Sequence, residues 1–282
     1  MHSLIISSPA KVNLYLEVLG KRPDGYHELM TVFHRISLSD QIKIRKTKNL
    51  GFHLTTNHPK LKRSNKNLIY KAHQALKKMA YWPGGVEVQL TKKIPVAAGL
   101  GGGSSNAAHF LLGMNRLFRL RLSQKKLIKI GSTLGADVPF FLYEIKQGIG
   151  FGKGNEIKPL PVQEKHWFVV ITPPFGLSTP LVYKRLGAGS LTRISRDATI
   201  TSEFLRRQVF LKNDLFLTAC WLRPQLKEID ALFERLGVAQ RLMSGSGPTM
   251  FSIHKSKGEA ERIARLLRKR RPSAKVFVCH TH

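Results

Sequence analysis

The chain of 282 residues is about two domain-lengths long, and its 42% hydrophobic content excludes general disorder. Against 47 Lys and Arg stand only 17 Asp and Glu, a net charge of +30, although charged residues make up no more than 23%. The imbalance therefore comes from missing acids as much as from added bases, and its even spread argues for a globally positive surface rather than a basic tail. Such a surface attracts nucleic acid, anionic lipid or a polyphosphate alike, and composition does not choose among them. Cys220 and Cys279 are the only cysteines, too few for a disulfide framework or a Cys-based zinc site. The apolar run Leu4-Ile5-Ile6 soon meets Pro9 and Lys11, unlike a signal peptide, and no apolar run approaches the roughly 18 residues of a membrane span. The expectation is a soluble, cytoplasmic protein.

In chain order, alternation at Val12, Leu14, Leu16 and Val18 predicts a half-buried strand. Ile42 with Ile44 predicts a second strand, and Val86, Val88 and Leu90 a third. Residues 67–80 place Leu68, Ala72, Leu76 and Met79 on one helical face. A glycine-rich stretch at 99–103 runs directly into an apolar-periodic helix, and Ser123 caps another that carries Leu127, Ile130 and Leu134. Residues 147–154 read as strand and turn, 167–172 (WFVVIT) as a buried strand, and STPLVYKRL as a short helix with Pro180 in its first turn. A loop is expected over 187–202, helices over 213–223 and 225–236, and a glycine turn, SGSGP (244–248), before the strand TMFSI. A basic helix over 258–271 and the strand KVFVC follow. Strands and helices mix without regular βαβ alternation, which predicts an α+β fold. The linker 155–165, with two prolines and mixed charges, suggests a boundary near residue 160, dividing the chain into 1–160 and 161–282.

The strongest chemical signal is PVAAGLGGGSSNA (95–107). Glycines between a strand and a helix let backbone N–H groups turn toward a ligand, and the helix N-terminus adds unpaired donors and positive potential. Together they form a nest for phosphate oxygens, without matching GxxxxGK[ST] or GxGxxG. Ser104 and Ser105 can reach a phosphate-bound Mg²⁺, or one of them can cap the helix. Asp137, in GADVPFF, stands out because Glu87 is the only acid between residues 41 and 136. A carboxylate beside apolar residues needs partners, and a cap, an internal ion pair or catalysis would each supply a role. Lys11 opens the alternating stretch PAKVNLYLEV, where a solvent-facing lysine is the ordinary reading, and Asn13 shares its face. RPDGYHEL (22–29) is turn-like and presents Tyr26 and His27. No HExxH, GxSxG or CxxC occurs, which lowers zinc-peptidase, serine-hydrolase and dithiol readings.

Taken together, PAKVNLYLEV with RPDGYHEL, PVAAGLGGGSSNA and LMSGSGPTMF resemble the three-motif pattern of the galactokinase, homoserine kinase, mevalonate kinase and phosphomevalonate kinase superfamily. The DGYH block and GADVPFF narrow the resemblance to its 4-diphosphocytidyl-2-C-methyl-D-erythritol kinase family. That resemblance implies an N-terminal ATP-binding domain like the second domain of ribosomal protein S5 and a ferredoxin-like substrate-binding domain. It also implies ATP as phosphoryl donor with Mg²⁺, and a cytidine diphosphate-linked sugar alcohol as acceptor. By position, Lys11 and Asp137 match the catalytic pair. Gly99, Gly101, Gly102, Gly103, Ser104 and Ser105 match the phosphate loop, with Asn67 at the adenine pocket and Lys92 as a basic residue near the nucleotide. Asn13, Tyr26, His27, Thr179 and Tyr183 match positions around the acceptor, with Tyr26 and Tyr183 expected to sandwich the cytosine. Ala97-Ala98 replace glycines often found there, and Tyr183 stands where phenylalanine also occurs. On this reading Gly102→Val would crowd the phosphates and spare the fold. The competing reading, a nucleic-acid-binding protein, draws on the +30 charge and on RKRR (268–271), but lacks an RNA-binding aromatic signature. The expectation is no specific nucleic acid and no membrane partner, with the oligomeric state left open.

Overall fold

The computed structural model describes residues 2–61, 67–162, 164–186 and 211–282; the loop expected over 187–202 lies outside them. Its first two strands, β1 (Ser3–Lys21) and β2 (His27–Thr47), are far longer than the alternating runs that announce them. They contribute residues to both of two compact units, one made of Met1–Ala10, Leu38–Pro95 and Gly101–Ile145, the other of Lys11–Ser37, Val96–Leu100 and Lys146–His282. The half-buried reading of β1 is overturned, since every residue from Ser8 to Val18 is buried. Lys11, Asn13, Tyr15 and Glu17 thus form a second, polar face inside the protein, and buried polar groups must find partners.

In the first unit, β4 (Gly85–Thr91) lies antiparallel to the end of β2, pairing Ile44 with Val88, and parallel to β3 (Phe52–Thr56), pairing Leu54 with Val88. Four helices of this unit pack on one another: α1 (Leu68–Lys77), α2 (Gly102–Leu117), α3 (Gln124–Leu134) and α4 (Val138–Leu142). Ser123 caps α3 as expected, its hydroxyl accepting from the Lys126 N–H. Ile42, Ile44, Ile69, Leu76, Phe110 and Phe140 are fully buried. An aromatic cluster joins β3 to α1 and α2: Phe52 stacks on His73 with ring centres 4.2 Å apart, Phe110 meets Phe52 edge-on, and His73 meets Trp82 edge-on. Burial in this cluster pushes the His73 imidazole down to a pKa of about 4.

In the second unit, β5 (Gln147–Phe151) pairs antiparallel with the first half of β2, matching Thr31 with Gly150, and with β6 (Glu156–Leu160). The strand β6 was not anticipated; it occupies part of the proline-bearing linker, with Pro159 on an edge where a missing donor costs no ladder bond. A separate antiparallel sheet runs β11 (Lys275–His280), β7 (Trp167–Thr172), β10 (Met250–His254), β9 (Arg241–Met243). The helices α5 (Thr179–Arg185), α6 (Phe216–Leu222), α7 (Gln225–Arg235) and α8 (Lys257–Arg270) share its core, in which Val169, Ile171, Val182, Leu226, Phe233, Ile263 and Leu267 are buried. The two-residue β8 (Lys212–Asn213) joins β1 in parallel. Antiparallel pairing dominates, and the fold is mixed α+β as expected.

Candidate active site

The segment expected to form a phosphate loop begins with three residues in the left-handed region, Ala97 (φ 54°), Gly99 (φ 75°) and Gly101 (φ 66°). Ala97 carries the strain that a glycine there would avoid. Gly101 is the N-cap of α2 and supplies no side chain to cap it. The first N–H groups of a 16-residue helix are thus left uncapped by any side chain, and the alternative in which Ser104 or Ser105 caps α2 is not realised. Ser105 turns inward, its hydroxyl 2.8 Å from Ser8 Oγ and 3.3 Å from His109 Nδ1. Ser104 is the half-buried hydroxyl of the pair, 3.8 Å from the point where a β-carbon on Gly135 would stand, beside the turn that carries Asp137.

Under the start of α2 lies a buried network that sequence reasoning missed. One oxygen of Asp40 accepts from the N–H groups of Lys93 (2.7 Å) and Ile94 (2.9 Å). The other accepts from Lys92 Nζ and from Asn106 Nδ2 (2.9 Å). Lys92 Nζ also donates to Asn106 Oδ1 at 3.1 Å. Burial pulls the Lys92 pKa down and Asp40 opposes that pull. A signal for Asp40 did exist, since it shares the period of two with buried Ile42 and Ile44, and an acid on an inward face requires partners. The geometry also corrects the reading of Gly102. A β-carbon there would stand 2.9 Å from Ile94 Cγ2 and 3.1 Å from Lys92 Nζ, so that position faces the interior. Gly103 is the exposed one, where a β-carbon would meet Leu68 Cδ1 at 3.4 Å. Asn67 caps α1, with Oδ1 accepting from Ile69 N–H at 3.0 Å, while its buried Nδ2 has no partner among the described residues. Asp137 occupies the N-cap position of α4, half-buried, but its side chain makes no capping bond.

In the second unit the lysine expected to face solvent is buried, with 3% exposure. Lys11 Nζ donates to Asn13 Oδ1 (2.6 Å) and to the Gly99 carbonyl (3.0 Å), and its own N–H bonds the Leu100 carbonyl. Ser244, from the SGSGP turn, donates its hydroxyl to the same Gly99 carbonyl at 2.9 Å and accepts from Asn13 N–H at 3.3 Å. Three motifs remote in sequence therefore meet on one carbonyl oxygen.

The residues expected around the acceptor fall into a stack, a flank and a hydroxyl pair. His27 stacks on Tyr183, ring centres 5.1 Å apart and planes at 28°. Burial, with Lys21 adding to it, holds the His27 pKa below its ordinary value, which favours the neutral ring as a reader of donors and acceptors. Tyr26 is 58% exposed and lies under Lys153 Nζ, 3.8 Å from its ring centre. Tyr183 is thus packed on His27, while Tyr26 makes its contact with Lys153. The turn before them is as read: Gly25 has φ 82° and Asp24 Oδ1 accepts from Tyr26 N–H. Thr179, at the start of α5, shares a 2.7 Å hydrogen bond with Ser246.

In the first unit, the uncapped start of α2 above the Lys92 ammonium suits an anionic group; in the second, the buried Lys11 ammonium suits another and the His27–Tyr183 stack suits a ring. Residues 67–144 match the family model for the GHMP kinases N terminal domain, and residues 218–272 that for GHMP kinases C terminal. A 4-diphosphocytidyl-2-C-methyl-D-erythritol kinase of Syntrophus aciditrophicus (strain SB) is 41% identical over 269 residues, covering 94% of this chain and 95% of its own. A crystal structure of 4-(cytidine 5'-diphospho)-2C-methyl-D-erythritol kinase superposes with a TM-score of 0.83 at 34% identity, covering 98% of each chain. Homoserine kinase from Cytophaga hutchinsonii, at 16% identity and a TM-score of 0.70 over 100% of this chain and 95% of its own, shares the fold. With relatives this close over nearly its whole length, the chain is a small-molecule kinase and belongs to the 4-diphosphocytidyl-2-C-methyl-D-erythritol kinase family of the GHMP kinases.

Proposed function

We propose that the chain transfers the terminal phosphoryl group of ATP, with Mg²⁺, to a hydroxyl of 4-diphosphocytidyl-2-C-methyl-D-erythritol. The observation that carries this reading is Lys11, a buried lysine whose ammonium is tied to Asn13 and to the carbonyl of Gly99 in the phosphate loop. In-line phosphoryl transfer needs positive charge fixed where negative charge accumulates, and little covalent help from the protein. Gly99, Gly101, Gly102, Gly103 and Ser104 form the phosphate loop. Lys92 supplies positive charge from beneath it, and Ser105 braces it through Ser8 and His109. The orphaned Nδ2 of Asn67 is a donor suited to an adenine nitrogen. Asp137, half-buried at the start of α4, accepts or orients the hydroxyl proton of the acceptor. Asn13, Tyr26, His27, Thr179 and Tyr183 hold the acceptor, with His27 reading the cytosine edge.

Mg²⁺ supplies charge neutralisation on the phosphate oxygens. The hard oxygens of Ser104 and Asp137 fit such an ion and would help to hold it. In family terms, residues 1–160 correspond to a fold like the second domain of ribosomal protein S5 and residues 161–282 to one like ferredoxin. A division near residue 160, with 1–160 binding ATP and 161–282 binding the acceptor, is supported by the change of sheet between β6 and β7. The acceptor positions Asn13, Tyr26 and His27 lie on the N-terminal side of it. No described helix is long and apolar enough to cross a membrane, and a cytoplasmic site suits an ATP-consuming kinase. The test is coupled ADP release. It should require the diphosphocytidyl compound, and a response to mevalonate or homoserine instead would overturn the reading.

A further inference from the structure

We propose that Thr31 is a positioning residue for Lys11, acting through Asn13. Thr31, on β2, is buried with 2% exposure. Its hydroxyl donates its single proton to the backbone carbonyl of Tyr15 at 2.7 Å. Having no second proton, it serves Asn13 as an acceptor only, and the group 2.7 Å away is therefore the Asn13 amide nitrogen. That choice fixes the flip of the Asn13 amide. Its carbonyl oxygen turns to Lys11, where it accepts from the ammonium at 2.6 Å. A flipped amide would set an NH₂ group against the ammonium, donor against donor. The proton order in this chain is therefore determined from its Tyr15 end: Tyr15 carbonyl, Thr31 hydroxyl, Asn13 amide, Lys11 ammonium. Neither the sequence motifs nor the family positions named above include Thr31, and in a strand a threonine draws no notice.

The inference rests on Lys11 acting in phosphoryl transfer, and its test separates the two claims. Thr31→Val keeps the shape and removes the hydroxyl, leaving a buried amide without an acceptor. Turnover should fall about 10- to 100-fold, with the Michaelis constant for ATP changed less than about threefold. Thr31→Ser should remain within about threefold of the wild type. In a Lys11→Met background, Thr31→Val should add almost nothing, since groups acting in one unit are non-additive. A readout independent of activity is the ¹⁵N resonance of the Lys11 ammonium in protein labelled at lysine Nζ. It should be retained in the wild type and in Thr31→Ser, and broadened away in Thr31→Val. Loss of wild-type turnover on the diphosphocytidyl compound would strike the proposed function and leave this resonance test standing. Wild-type turnover and an unchanged Lys11 resonance in Thr31→Val would overturn the positioning role. So would a Thr31→Ser as slow as Thr31→Val, or a full Thr31→Val effect without Lys11. If Thr31→Val does not fold, Thr31→Ala and Thr31→Ser both lack the methyl and differ only in the hydroxyl. Ser faster than Ala supports the role, and equal rates overturn it.

Discussion

The ammonium of Lys92 stands 3.1 Å from the point that a β-carbon on Gly102 would occupy. Gly102 is thus kept small by the charged network beneath the loop. Gly102→Val should displace Lys92 from Asp40 and push on Ile94, an overpacking cost of about 1–3 kcal/mol. Gly103→Val, at an exposed position, should hold its stability and weaken ATP binding by roughly tenfold or more, because the branched side chain intrudes where phosphates approach the helix N-terminus. Urea unfolding and nucleotide titration on the two variants check the pair. Equal loss of ATP affinity without loss of stability in Gly102→Val would contradict the inward-facing geometry.

Asp137→Asn should keep the half-buried turn intact and lower turnover by ~10²–10⁴, with both substrates still bound. Lys11→Met should also depress turnover. The double variant should fall well short of the product of the two effects, as expected of groups acting together. Steady-state kinetics on folded variants decides this, and near-normal turnover in Asp137→Asn would remove the residue from the reaction.

Acceptor recognition should divide between an exposed and a packed aromatic. Tyr26→Ala should raise the Michaelis constant for the cytidine substrate about tenfold without loss of stability, since stacking of a base on an aromatic ring is worth ~1–3 kcal/mol. Tyr183→Ala should show the same kinetic effect together with reduced stability, because it strips His27 of its stacking partner. The Michaelis constant for ATP should stay unchanged in both. A parallel rise for ATP would mean that these rings only support the fold.

Two buried imidazoles contribute to the loss of stability in acid. His34 and His73 both have pKa values lowered to about 4, chiefly by burial. A histidine whose folded pKa lies below its unfolded value binds more protons when unfolded. Their contribution to stability is therefore full above about 6.5 and declines as the pH falls from there toward 4. For His34, with its ring enclosed, the loss amounts to about 3 kcal/mol at ~1.4 kcal/mol per pH unit. Unfolding curves at pH 7.5 and pH 4.5 for the wild type and His34→Gln should show the variant losing less on acidification.

The parts of the site readable in the sequence are those whose reasons are local. A glycine loop running into a helix, a serine before α3 and an Asp-Gly turn before Tyr26 each carry their geometry in adjacent residues. Asp40, Thr31 and Ser244 derive their roles from partners on other elements: Asp40 is 52 residues from Lys92, Thr31 is 18 from Asn13, and Ser244 is 145 from Gly99. No local pattern encodes such a pairing. The alternation of β1 was misleading for a related reason. Period two marks one face as apolar, and it says nothing of a polar face buried by hydrogen bonding, as Lys11, Asn13, Tyr15 and Glu17 are. The short strand β6 escaped notice because its proline and charges mimic a linker.

The Gly99 carbonyl accepts from Lys11, 88 residues before it, and from Ser244, 145 residues after it. This one oxygen therefore imposes an order on biosynthesis. A ribosome must release the chain through Ser244 before the carbonyl has both donors, so a nascent or truncated polypeptide holding the entire glycine loop still lacks a finished anchor for it. Activity then arrives late in translation, and a nascent chain exposed to ATP has little chance to spend it.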